Sequence, residues 1–107
     1  MKAKEEFLRH IRDRKVLCAE ISYRDCWDFN FPMKDFKLPV NYTQEQYDEF
    51  VNSLDFKYDA GYGEQELFGT IWYTDGTWSD RGEYDGSEWW NYHICPNISE
   101  NLLTNSL

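Results

Sequence analysis

The chain has 107 residues, 41% of them hydrophobic, and a formal net charge of −9. That length holds one core, so a single domain over residues 1–96 is expected, with residues 97–107 as a flexible C-terminal tail. The acidity makes the chain a poor candidate for wrapping a phosphate backbone or binding an anionic lipid surface, because clustered Lys and Arg bind both, so neither direct nucleic-acid binding nor a membrane is expected.

Residues 3–13 read as a short helix, with Phe7, Leu8 and Ile11 on one apolar stripe. Lys15–Tyr23 reads as a strand whose Leu17, Ala19, Ile21 and Tyr23 face the core. Within residues 24–41, Asp25–Pro32 alternates polar and aromatic side chains, and Pro32 and Pro39 limit any central strand, so the stretch reads as a long irregular loop with a short edge strand. Thr43-Gln44-Glu45-Gln46 is a capping box, with Tyr42 and Tyr47 placed for a hydrophobic staple. Tyr47, Phe50, Val51 and Leu54 then follow at helical spacing, and the helix should end near Asp55.

Beyond that the period becomes two. Phe56, Tyr58 and Ala60 alternate with charged residues, and Gly61-Tyr62-Gly63-Glu64 reads as a turn. Leu67–Thr74, Thr77–Tyr84 and Ser87–Cys95 read as strands joined at Asp75-Gly76 and Asp85-Gly86, two hairpin signals. The predicted order is α-β-α-β-β-β-β. The class is α+β, an antiparallel meander sheet with helices on one face.

Seven Phe, five Trp and eight Tyr outnumber the sixteen Val, Ile and Leu, so rings must build much of the core. Two-residue loops at both Asp-Gly pairs place Tyr73 opposite Trp78, Trp72 opposite Ser79, Glu83 opposite Glu88 and Arg81 across from Trp90. Phe68, Trp72, Arg81, Glu88, Trp90 and Tyr92 then share one face, and Ile71, Tyr73, Trp78, Trp89, Asn91 and His93 the other. Tryptophans fall on both faces, whereas a half-buried sheet ordinarily keeps one face polar. Either both faces are covered or one is an interface. The candidate binding surface comprises Trp72, Trp78, Arg81, Glu83, Tyr84, Asp85, Glu88, Trp89 and Trp90, with Arg81 stacked near Trp90.

The stretch GTIWYTDGTWSDRGEYDGSEWW, residues 69–90, resembles a signature of small uncharacterised proteins encoded by bacteriophages and found in metagenomes. The matching pieces are Glu66–Trp72, Asp75–Trp78 and Arg81–Trp90, about the last half of the chain. The resemblance implies a phage-like origin. It implies no activity and supplies no catalytic residues.

Little in the chain points to catalysis. His93 and Cys95 share a strand face about 7 Å apart at the backbone, too far for a nucleophile pair. Cys18, Cys26 and Cys95 lack any short paired-ligand spacing, so neither a zinc site nor a disulfide framework is expected. Glu83 opposite Glu88 resembles a glycosidase carboxylate pair, though like charges also meet at exposed hairpin ends. No phosphate loop is present. No catalytic residue, cofactor or metal is expected. The N-terminus lacks the apolar run of about 7–15 residues that marks a signal peptide, so a cytoplasmic protein in a bacterial host is expected.

Charge is divided unevenly. Residues 1–37 carry nine basic and seven acidic side chains, whereas residues 38–107 carry two and thirteen, with fourteen aromatics. That profile fits a small non-enzymatic interaction protein that docks on a basic protein surface, of inhibitor, anti-defence or immunity type. A carbohydrate-binding module using Trp78, Trp89, Tyr73 and Asn91 is one alternative. A homodimer formed through the sheet is another.

Overall fold

The computed structural model describes residues 2–24, 33–58, 64–96 and 102. The expected tail from Asn97 apart from Leu102, the Gly61-Tyr62-Gly63 turn, Cys26 and most of the aromatic loop before Met33 lie outside the described residues. The element order is α1 (Ala3–Ile11), β1 (Val16–Tyr23), β2 (Lys34–Leu38), α2 (Gln44–Ser53), β3 (Leu67–Tyr73), β4 (Trp78–Tyr84) and β5 (Ser87–His93). The fold is α+β. Its strands form one antiparallel sheet in the order β2-β1-β3-β4-β5.

One expected strand forms at the sheet edge and another does not form. The short edge strand is β2, pairing Leu38 with Ala19 and Lys34 with Tyr23. The expected strand at Phe56–Ala60 shrinks to an isolated bridge between Lys57 and Lys2, and residues 59 and 60 lie outside the described residues. The reason is local. The carbonyls of Leu54 and Phe56 accept from the first amides of α1, Lys4 N at 2.8 Å and Ala3 N at 3.0 Å. Lys2 offers no side-chain cap, so the exit of α2 satisfies the orphan donors of α1 instead of entering the sheet.

Helix α2 forms as its box dictates. Gln46 N donates to Thr43 Oγ1 at 3.2 Å and Thr43 N donates to Gln46 Oε1 at 2.8 Å. Tyr42 and Tyr47 stack at 5.7 Å as the staple. Thr43→Ala removes one arm of the box and is expected to cost about 1 kcal/mol, read as a lower urea midpoint at unchanged m-value.

Both helices pack on one sheet face. Phe7 and Ile11 of α1 meet Phe50, Val51 and Leu54 over Ala19, Ile21, Ile71 and Tyr73, with Phe7 and Phe50 edge to face at 5.6 Å. Leu8, expected on the buried stripe, is exposed. In β1 a bulge between Val16 and Cys18 shifts the alternation. Val16 turns inward and Leu17, expected in the core, turns out. The same helix-packed side holds Leu67, Ser79 and Trp90.

The two hairpins are built differently from the same dipeptide. Asp85-Gly86 is a two-residue loop with both φ angles positive, 52° and 86°, and Tyr84 pairs with Ser87 as expected. At Asp75-Gly76, Tyr73 N donates to Thr77 O at 2.9 Å, so residues 74–76 form a three-residue loop with Gly76 at φ 87°. Trp72 therefore faces Trp78, and Ile71 faces Ser79. This corrects the expected Tyr73–Trp78 and Trp72–Ser79 pairing by one position. That slip exchanges the faces of β3 relative to β4 and β5.

Candidate functional site

Of the nine expected surface residues, three turn inward. Arg81, Glu88 and Trp90 lie on the helix-packed face, not on a binding surface. The Arg81 side chain is 2% exposed and that of Glu88 is fully covered. Arg81 Nη2 donates to Glu88 Oε1 at 2.7 Å and to the Tyr58 hydroxyl at 2.9 Å. Its Nε donates to Leu67 O at 3.3 Å, and Nη1 lies 3.2 Å from Glu6 Oε2. The guanidinium sits 4.9 Å above the Trp90 ring, the cation–π pair expected from the register. Burial disfavours the charged guanidinium, but Glu6, Tyr58 and Glu88 outweigh it and its pKa is raised.

Glu88 also accepts from the backbone amides of Glu66 at 2.9 Å and Leu67 at 3.0 Å. Glu83, opposite it in register, accepts from Gly86 N at 3.0 Å. The two carboxylates suggestive of sugar hydrolysis are thus occupied, one anchoring the start of β3 and one the β4–β5 turn.

A second polar chain runs beside this cluster. His10 Nε2 bonds Ser79 Oγ at 2.8 Å, and Ser79 Oγ bonds the Tyr73 hydroxyl at 2.9 Å. Burial lowers the His10 pKa, helped by Arg14, Arg81 and Arg12. Folding therefore favours the neutral form of His10. Its stabilising contribution is complete above its ordinary value near 6.5 and is lost as pH falls towards the depressed folded value. His10→Gln should flatten the loss of stability between about pH 7 and pH 5, read from urea midpoints. A variant with an unchanged pH profile would show that another group governs acid sensitivity.

The opposite face collects the remaining tryptophans. Trp72 and Trp89 are 39% and 40% exposed, and Tyr84 at the hairpin end is 77% exposed. Trp78 stacks on His93 at 4.2 Å and 24°, and His93 Nε2 lies 2.7 Å from Asp80 Oδ1. Trp89 Nε1 donates to Asn91 Oδ1 at 2.7 Å. Both side chains lie over Gly82. A Cβ there would stand 2.4 Å from Asn91 Nδ2 and 2.7 Å from Trp89 Nε1. Glu20, Asp35 and Asp80 share this face with Lys37. The core cluster places both helices on the other side.

Glu83 and Asp85 are exposed at the rim beside Tyr84. The face therefore joins Trp72, Trp78 and Trp89 with Asp80, Asn91 and His93. Asp80 and His93 were missing from the expected site, although the pairing of His93 with Trp78 follows from the β4–β5 register. Tyr73, expected in a sugar platform, is buried.

Among the described residues no three His, Cys, Asp or Glu side chains gather as metal ligands, and no helix is long and apolar enough to cross a membrane. Cys18 and Cys95 are free thiols. No protein-family model, curated protein or solved structure matches the chain.

Proposed function

We propose that this chain is a non-enzymatic interaction protein of a bacterial cytosol that docks its helix-free sheet face on a basic patch of a partner protein. The observation that carries this reading is the gathering of Trp72, Trp78 and Trp89 on a face that neither helix packs against. Exposed tryptophans of this kind anchor interfaces. Glu20, Asp35 and Asp80 lie on the same face, and the net negative charge of residues 38–107 supports steering of a cationic partner. An inhibitor, anti-defence or immunity role matches that chemistry.

The test is a pull-down from host lysate, washed at about 50 mM and about 500 mM salt, with wild type and two variants. Trp72→Ala removes an anchor. Gly82→Ala lifts Trp89 and Asn91, whose side chains can move. A basic protein retained at low salt, released at high salt and lost by both variants is the expected result. Retention unchanged in both variants would sink the reading.

A second reading rests on Trp89 and Asn91 over Gly82. An exposed indole beside an amide is also how a protein stacks a sugar ring and bonds its hydroxyls. Tryptophan fluorescence that shifts with one member of a soluble glycan panel would favour it. A concentration-dependent dimer by light scattering, lost in Trp72→Ala, would instead assign the face to a second copy.

A further inference from the structure

On the far side of β5, the acidic chain carries a basic cleft. It measures about 390 Å³ and is lined by Glu6, Arg9 and His10 of α1, Arg12 and Arg14 of the following turn, and Trp89 and Trp90. Arg9 and Arg12 are exposed, and among the described residues neither forms an ion pair. Arg14 is held in place, its Nη1 donating to His10 O at 2.7 Å and its guanidinium 3.8 Å above the Tyr92 ring. Glu6, the cleft's one carboxylate, is engaged by Arg81 and Tyr58. Among the described residues the cleft thus sets three guanidinium groups, those of Arg9, Arg12 and Arg14, against one carboxylate that is already engaged.

Its aromatic wall is rigid. The His10 ring stacks on Trp90 at 6.2 Å and is fixed below by Ser79. Trp90 is 7% exposed, yet its Nε1 has no acceptor among the described residues. Buried donors are ordinarily satisfied, so an orphan lining a cleft is informative. The depressed His10 pKa, set first by burial and then by Arg14, Arg81 and Arg12, reflects the same positive potential.

We propose that this cleft binds a nucleoside monophosphate, its phosphate held by Arg9 and Arg12 and its base stacked on Trp89, the exposed indole of the lining. Guanidinium forks match phosphate oxygens in geometry and charge. Exposed indole accepts any base face. The volume lies in the range of small-ligand sites. The cleft shares Trp89 with the docking face, but its phosphate clamp of Arg9 and Arg12 belongs to α1 and its exit and not to the sheet, so variants at those two arginines test it apart from that face.

Equilibrium dialysis with labelled AMP, inorganic phosphate and adenosine tests it on the full chain in low salt. Saturable AMP binding is expected, with phosphate alone and adenosine each weaker by about tenfold or more. Arg9→Ala and Arg12→Ala should each weaken AMP about tenfold, at unfolding midpoints like that of the parent. Four results would overturn the proposal. They are no saturable AMP binding up to about 10 mM, phosphate as tight as AMP, adenosine as tight as AMP, or undiminished binding in the double variant.

Discussion

Arg81→Met should destabilise the protein by about 3–5 kcal/mol, a large share of the 5–15 kcal/mol that holds a small domain together. The side chain it removes is 2% exposed and is the counter-charge for Glu88, whose carboxylate is fully covered. Glu88 cannot withdraw to water, because its oxygens hold the amides of Glu66 and Leu67 where β3 begins. Met fills similar volume, so the loss is chiefly the penalty of stranding a buried charge rather than of opening a cavity. Glu88→Gln in the same chain removes that stranded charge while keeping an oxygen for one amide. The double variant should therefore be less destabilised than the sum of the singles, a coupling of about 1–3 kcal/mol in a double-mutant cycle. Additive losses by urea denaturation would show that Arg81 acts through its stacking on Trp90 and Tyr58 alone.

Tyr58 adds an alkaline counterpart. Burial, with Glu6 accepting from its hydroxyl, holds its pKa well above the ordinary tyrosine value near 10. A group raised on folding contributes fully below its unfolded pKa and loses that contribution as pH climbs through the folded one. Tyr58→Phe should therefore reduce the fall in stability above about pH 10, measured by urea midpoints.

How far the fold was legible follows from particular residues. The capping box of α2 could be read because all its partners lie within four positions. The β4–β5 register could be read because both residues of the Asp85-Gly86 loop take positive φ, as a two-residue hairpin requires. The identical dipeptide at Asp75-Gly76 misled. There Asp75 uses its carboxylate to accept from the Thr77 amide at 3.0 Å and from the Thr77 hydroxyl, which draws a third residue into the loop. At the second turn Glu83 holds the amide of Gly86 instead. The choice rests on which neighbour reaches the turn, and a one-residue difference relocates a whole strand face.

The site was half legible for the same reason. Trp72, Trp78 and Trp89 were named, but the slip hid that they share a face. Arg81 and Glu88 looked like surface charges because such residues are rarely buried without partners. Their partners Glu6, Tyr58 and the amide of Leu67 arrive from α1, the exit of α2 and β3. No local pattern announces such a meeting.

Gly69→Ala is the second large effect expected, about 3 kcal/mol and a fall in unfolding temperature of about 10–20 °C. Gly69 lies on β3 opposite Ile21 of β1, on the helix-packed face, with φ 155°. A Cβ there would stand 2.5 Å from Glu20 O and 3.0 Å from Ile21 Cα. Both are backbone atoms of the adjoining strand, so no side-chain rotation relieves the contact and the two central strands must part. Gly76 provides the control. It too has a positive φ, 87°, but nothing lies within 4 Å of its Cβ position. Gly76→Asn meets only a conformational cost, which Asn tolerates in a turn. Gly69→Asn meets the strand as well and should be at least as damaging as the alanine. Equal, small losses at both glycines would mean that β1 and β3 are not held at the spacing that makes residue 69 a glycine.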